Sequence, residues 1–267
     1  MSLWINGSPA PDRMAGDRGL NYGDGLFETM RVERGAVRHL DRHIDRLTGG
    51  CRRLGIDGID TTILCDEIIE CAGLQAIGTL KLIVTRGVGP RGYRPIVEGA
   101  PTRILTASNA RPADDSGANG VQVRYCRTPA TENTVLAGLK HLGRLDSVLA
   151  RGEWSDAAIA EGLMRDSRGF IVGGTMTNLF AVRAGRLLTP RIERAGVRGV
   201  MRSVIMDAAR STGIVIEETQ LLASDLAGAE ELFLTNALVG IWPVRELDGR
   251  SYELGPVTRH CQRLERA

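Results

Sequence analysis

Of the 34 lysines and arginines in this 267-residue chain, only Lys81 and Lys140 are lysine. An arginine stays protonated, whereas a lysine amine can give up its proton and form a Schiff base with a carbonyl. A lysine that persists against such an arginine excess is therefore a candidate for covalent chemistry. Lys81 lies in TLKLIVTRG (79–87), an alternating strand-like run where a lysine commonly reaches solvent or pairs with a carboxylate. Lys140 lies in TENTVLAGLKHLGRLDSVLAR (131–151), just ahead of a helical pattern and among apolar residues. Enclosure there disfavours the ammonium and frees the amine as nucleophile and general base. On context, Lys140 is the stronger candidate.

Bulk properties narrow the alternatives. Apolar content of 43%, charged content of 25% and a net charge of +2 describe an ordinary globular chain without a basic field for nucleic acid or an anionic membrane. The arginines at 38, 42, 46, 52 and 53 are interrupted by Asp41 and Asp45 and read as a solvated helix face with room for one functional member. The opening MSLWINGSPAPD has no secretory pattern, and no apolar run approaches the ~20 residues of a membrane span. Cys51, Cys65, Cys71, Cys126 and Cys261 form no CxxC pair, which points to a reduced, cytoplasmic setting. His39 and His43 are four apart but no HExxH accompanies them, so no metal is expected.

These candidates must be held by a framework of mixed elements. The 33 glycines cluster at turns: Gly23 and Gly25, Gly87 to Gly92, Gly173 and Gly174, Gly196 and Gly199. Such clusters suit tight turns and close backbone approach to a ligand. The pattern predicts strands at 3–6, 27–33, 79–85 and 102–107, with a turn at Gly7 and helices at 40–54 and 61–72, Thr61 or Thr62 capping the second. The segment NARPADDSGAN (109–119) reads as a linker. Beyond it, strands are predicted at 121–126, 158–165, 179–184, 215–218, 231–236 and 241–247, and helices at 143–152, 199–212 and 255–263. The expectation is an α+β (α/β) protein with a small domain over 1–113 and a larger one over 114–267 that carries Lys140.

Six blocks in order carry a resemblance: DRGLNYGDGLFETMRV (17–32), HLDRHIDRL (39–47), LAGLKHLGRLDSVLAR (136–151), EGLMRD with GFIVGGTMTNLF (161–180), GVRGVMR (196–202) and TNALVGIWPV (235–244). Together they resemble the fold-type IV family of pyridoxal-phosphate enzymes, which includes branched-chain and D-amino-acid aminotransferases and aminodeoxychorismate lyases. The resemblance implies a two-domain fold, the larger domain β-barrel-like with helices, and a homodimer. It makes Lys140 the Schiff-base lysine and proton shuttle, and Arg46 the phosphate-binding arginine, a role a guanidinium fork suits. Val200 and Met201 would present backbone N–H groups to the phosphate from a helix start. Asn236 and Ala237 would close the site from the other side.

Within the family, RGY (91–93) and NAL (236–238) resemble the lyase branch, making Arg91 and Tyr93 the expected contacts to a substrate with two carboxylates. The implied reaction removes the proton from the amine-bearing carbon and expels pyruvate, leaving 4-aminobenzoate, a folate precursor; the Thr29 hydroxyl could share the proton work. The alternative is an aminotransferase acting on a branched-chain or D-amino acid. One departure stands out. The family's glutamate beside the pyridine nitrogen aligns with Gly173, which offers no carboxylate and favours elimination over transamination.

Overall fold

The computed structural model describes residues 2–5, 8–9, 16–95, 99–109 and 116–266. The Gly7 turn and residues 110–115 of the linker lie outside them. The chain forms two compact units, Met1–Pro112 with Leu139–Gly143, and Ala113–Gly138 with Arg144–Ala267. Lys140 thus packs with the first unit, not with the C-terminal one as expected. The reason is local: the Leu26–His141 bridge attaches its segment to a strand of the first sheet.

The first unit contains β1 (Ser2–Ile5), β2 (Ser8–Pro9), α1 (Arg18–Tyr22), β3 (Gly25–Glu33), β4 (Ala36–Val37), α2 (Leu40–Leu54), α3 (Thr61–Gly73), β5 (Ile77–Thr85) and β6 (Thr102–Ser108). Its strands pair antiparallel in the order β2-β1-β6-β5-β3-β4. Alternation along β3 buries Leu26, Glu28, Met30 and Val32, and the helices cover that face. Gly50 lets α2 lie flush on the strand, because a Cβ there would stand 2.7 Å from a Leu26 methyl. The cap of α3 is Asp60, not Thr61 or Thr62: its carboxylate accepts from the amides of Thr62 and Ile63. The other face of β3 and β5 presents Phe27, Thr29, Lys81 and Ile83, with Phe27 opposite Ile83 and Thr29 opposite Lys81.

The second unit comprises α4 (Ser116–Asn119), β7 (Val121–Tyr125), α5 (Leu145–Arg151), β8 (Ile159–Arg165), β9 (Ile171–Gly174), β10 (Asn178–Arg183), β11 (Arg186–Pro190), α6 (Val200–Ser211), β12 (Ile216–Thr219), α7 (Ala223–Ala227), β13 (Glu231–Asn236), β14 (Gly240–Leu247), β15 (Arg250–Ser251) and α8 (Pro256–Arg266). The sheet runs β12-β11-β10-β13-β14-β7-β8-β9, with β15 beside β14. It curls until its ends meet: the Ile171 amide of β9 donates to the Leu221 carbonyl just after β12 at 2.7 Å. Leu163, Leu179, Leu232, Leu234 and Val244 fill one apolar cluster of this unit. A second cluster joins the sheet to α6, with Phe180 and Phe233 stacked 4.9 Å apart beside Met201, Ile205 and Ala209. The mixing of helices and strands is as the sequence pattern predicts, and the curled sheet matches the barrel-like domain that the resemblance implies.

Both phenylalanine rings are fully buried. Phe233→Ala should therefore destabilise the protein by about 3–5 kcal/mol, measured by urea unfolding; a loss below ~1 kcal/mol would show that the stack is not a supporting element.

Candidate active site

Lys140 sits on the free edge of β3. The Phe27 amide donates to the Lys140 carbonyl at 2.9 Å, and the Leu142 amide donates to the Gly25 carbonyl at 3.0 Å. Backbone pairing therefore fixes the lysine, and its Nζ stands 4.1 Å from the centroid of the half-buried Phe27 ring. Lys81, set aside on sequence context as a solvent-reaching strand lysine, approaches the same ring: its Nζ is 5.5 Å from the centroid. Both lysines of the chain thus converge on Phe27, with Thr29 next to Lys81 in register.

On the opposite face of β3, Glu28 is 1% exposed and lies between two partners from α2. His43 Nδ1 is 2.6 Å from Oε2, and Arg46 donates through Nε to Oε1 at 2.8 Å and through Nη2 to Oε2. Burial pushes the carboxyl upward, but the His43 and Arg46 contacts outweigh it and hold it below the ordinary carboxylate value. Arg46, expected to grip phosphate, has this side of its fork fixed by Glu28 and keeps 16% of its side chain exposed. His43 is fully buried, and His39 adopts a left-handed backbone ahead of α2. Among the described residues no group of ligating side chains could hold a metal.

Arg91 and Tyr93 lie together on the exposed glycine-rich loop after β5. The Tyr93 ring meets that of Tyr22 edge-on at 5.4 Å.

In the second unit the expected phosphate loop is shaped by small residues. A Cβ on Gly199 would lie 2.1 Å from Asn178 Oδ1, and Asn178 Nδ2 donates to the Val197 carbonyl at 2.9 Å. Asn178 was not singled out from the sequence; its signal was its place beginning NLF. No side chain caps α6, so its first-turn amides at Val200 and Met201 are oriented as at an anion-binding helix start. Arg202 turns inward to Glu218 Oε2 at 2.6 Å. Asn236 Oδ1 accepts from the amides of Leu238 and Val239, so this side chain shapes the turn around the half-buried Ala237.

Gly173 has φ +153° and its added Cβ would meet the Thr177 carbonyl oxygen at 2.8 Å, so the backbone admits no carboxylate-bearing residue there without rearrangement. A carboxylate does stand beside this turn, from the neighbouring strand. Glu161, fully buried, accepts from the amides of Gly162, Thr175 and Met176 and from the hydroxyls of Thr175 (2.6 Å) and Thr177 (3.0 Å). These donors commit it to holding the 174–177 turn. A glutamate within the apolar run AIAEGLM was the available signal.

Residues 25–247 match the family described as Amino-transferase class IV. The fold is similar to the crystal structure of 4-amino-4-deoxychorismate lyase from Pseudomonas aeruginosa, with 46% identity and a TM-score of 0.94 over 99% of this chain and 98% of that one. The sequence is 30% identical to the aminodeoxychorismate lyase of Vibrio harveyi over 97% of this chain and 98% of that protein. It is 34% identical to a putative branched-chain-amino-acid aminotransferase of Methanocaldococcus jannaschii, over 97% and 93% respectively.

The lowered pKa of Glu28 has a pH signature. Its stabilisation is complete above the ordinary value of 4.5 and is lost as pH falls through the lower folded value. Glu28→Gln should lower neutral-pH stability by about 3 kcal/mol and flatten the acid limb of a stability–pH curve. An acid limb identical to that of the parent would remove Glu28 as its source.

Proposed function

The chain belongs to the aminotransferase class IV family, and from that premise we propose that it is a pyridoxal-phosphate-dependent 4-amino-4-deoxychorismate lyase, releasing pyruvate and forming 4-aminobenzoate. The observation that carries the reading is Lys140, a backbone-fixed amine whose Nζ lies 4.1 Å from the Phe27 ring centroid. The identities to two proteins named as this lyase support the choice of reaction.

The residues present fit the cofactor. Lys140 would supply the amine for its carbonyl, the Arg46 guanidinium and the amides of Val200 and Met201 would suit its phosphate, and Asn236 and Ala237 would serve the same phosphate. Bound pyridoxal phosphate supplies an electron sink for the carbon bearing the substrate amine. Lys140 takes the proton from that carbon and returns one to the departing enolpyruvyl group, while the carbon–oxygen bond to it breaks. The Thr29 hydroxyl is on the same sheet face to share in that transfer. Aromatisation of the ring drives the step. Arg91 and Tyr93 contact the substrate, and the exposed Lys81 supplies a second cation for a molecule with two carboxylates. The 34% identity to a putative branched-chain aminotransferase favours a second reading, transamination of an amino acid.

The proposal includes a cytoplasmic homodimer. The five free cysteines suit a reducing compartment, and no helix among the described residues is long and apolar enough to cross a membrane. Exposed Leu145, Val148 and Leu149 on α5 offer apolar surface for a second copy; sedimentation should give twice the mass of one chain, and a single-chain mass would remove the dimer.

Incubation with aminodeoxychorismate and cofactor should yield 4-aminobenzoate and pyruvate in equal amounts. Lys140→Ala should lower the rate by at least roughly 10²–10⁴-fold. Amino-group transfer to a keto acid without pyruvate release would move the assignment to an aminotransferase.

A further inference from the structure

Arg18 is 3% exposed, although the helix that carries it has only five residues. A guanidinium is buried only where several acceptors replace its water. Here they come from two places. Nε donates to Asp24 Oδ2 at 2.9 Å, Nη1 to the Gly92 carbonyl at 2.8 Å and Nη2 to the Tyr93 carbonyl at 3.1 Å. Its Cζ lies over the Tyr22 ring, 4.9 Å from the centroid, and the Tyr22 hydroxyl accepts from the Gly92 amide at 2.9 Å. A short helix thus grips both polar groups of Gly92 and the carbonyl of Tyr93.

The gripped segment does not order itself. Glycines stand at 87, 89 and 92, and Gly87 and Gly92 adopt φ of +89° and +113°. Such a loop has many backbone states in the absence of outside contacts. Its near end is tied by the Asp17–Val88 bridge and by the Arg18 amide on the Gly87 carbonyl. Its far end is tied by Arg18 and Tyr22. Asp24 joins the two, accepting from Arg86 as well as Arg18. The Tyr93 backbone is therefore fixed while its side chain is 86% exposed, with Arg91 in the span between the anchors.

We propose that Arg18 is a positioning residue, a clamp that presents Arg91 and Tyr93 in one fixed geometry for substrate binding. This inference rests on the reading of Arg91 and Tyr93 as substrate contacts. The hydrogen bonds of the Arg18 side chain go to Asp24, Gly92 and Tyr93, none of which is proposed to hold the cofactor. Its loss acts on substrate capture, and Lys140 continues its chemistry.

The test combines hydrogen–deuterium exchange with steady-state kinetics on the holoenzyme. Arg18→Ala should raise deuterium uptake across 88–95 and raise KM for aminodeoxychorismate about tenfold, with kcat within roughly twofold and the bound-cofactor spectrum unchanged. Arg18→Lys reaches one carbonyl in place of two and should restore part of both effects. Tyr22→Phe removes only the hydrogen bond to the Gly92 amide and should raise uptake at that amide, which keeps the test open if Arg18→Ala folds poorly. Unchanged uptake in both Arg18→Ala and Tyr22→Phe overturns the clamp. Raised uptake with unchanged KM overturns the positioning role and leaves Arg18 as a structural residue. Arg91→Ala and Tyr93→Ala separate the premise: if neither moves KM, the substrate reading fails and takes the positioning role with it, whatever the exchange shows.

Discussion

A catalytic amine on a long flexible stem is useful only if something other than the stem sets where it works. Here that constraint is the free edge of β3. Hydrogen bonds at 2.9 and 3.0 Å attach the Lys140 segment to Gly25 and Phe27, so the backbone that carries the proposed catalytic amine shares the rigidity of a sheet. The same strand, through the alternation of its side chains, sends Phe27 and Thr29 to one face and Glu28 to the other. One short element therefore holds the backbone of Lys140, the proposed Schiff-base lysine, and anchors the helix that carries Arg46.

The Glu28–His43–Arg46 group bears on the phosphate role proposed for Arg46. An arginine on a solvated helix face samples many rotamers, and a phosphate would have to order it on binding. A carboxylate buried on the strand beneath, 2.8 Å from Arg46 Nε, removes that freedom beforehand. The arrangement offsets charge as well as fixing it, so Arg46 contributes direction more than field. The amides at the start of α6, proposed for the same anion, would supply donors of the same kind without a side chain at all.

Much of this was legible in the sequence because it depends on residue type. Two lysines among arginines identified the covalent candidates, periodicity gave α2 at its observed limits, and ordered blocks gave the family. What was not legible depends on pairing across the chain. Lys81 read as a solvated strand lysine because its run alternates; only the register of β5 on β3 places it beside Phe27. Lys140 was assigned to the C-terminal domain because its neighbours in sequence belong there, whereas a bridge to Leu26 decides its packing. Glu161 was hidden for the same reason, acting on a turn that lies 14 residues further on through an adjacent strand. Short elements such as α1, β4 and β9 are too brief to show a period.

Gly173 illustrates why an absent side chain needs a backbone argument. Read as a sequence, the glycine is a missing carboxylate. In the fold it is a position where φ is +153° and the Thr177 carbonyl occupies the space of a Cβ, while Glu161 fastens the adjoining turn through five donors. The turn is consequently held as backbone fastened to Glu161, whose oxygens already accept from five donors. A ring nitrogen placed against such a turn would meet neutral peptide groups and stay less basic than one beside a carboxylate. Chemistry that must stabilise and then reprotonate a carbanion is disadvantaged by that environment. Chemistry in which the carbanion collapses by expelling a leaving group tolerates it, so the backbone at Gly173 and the elimination reaction are mutually consistent.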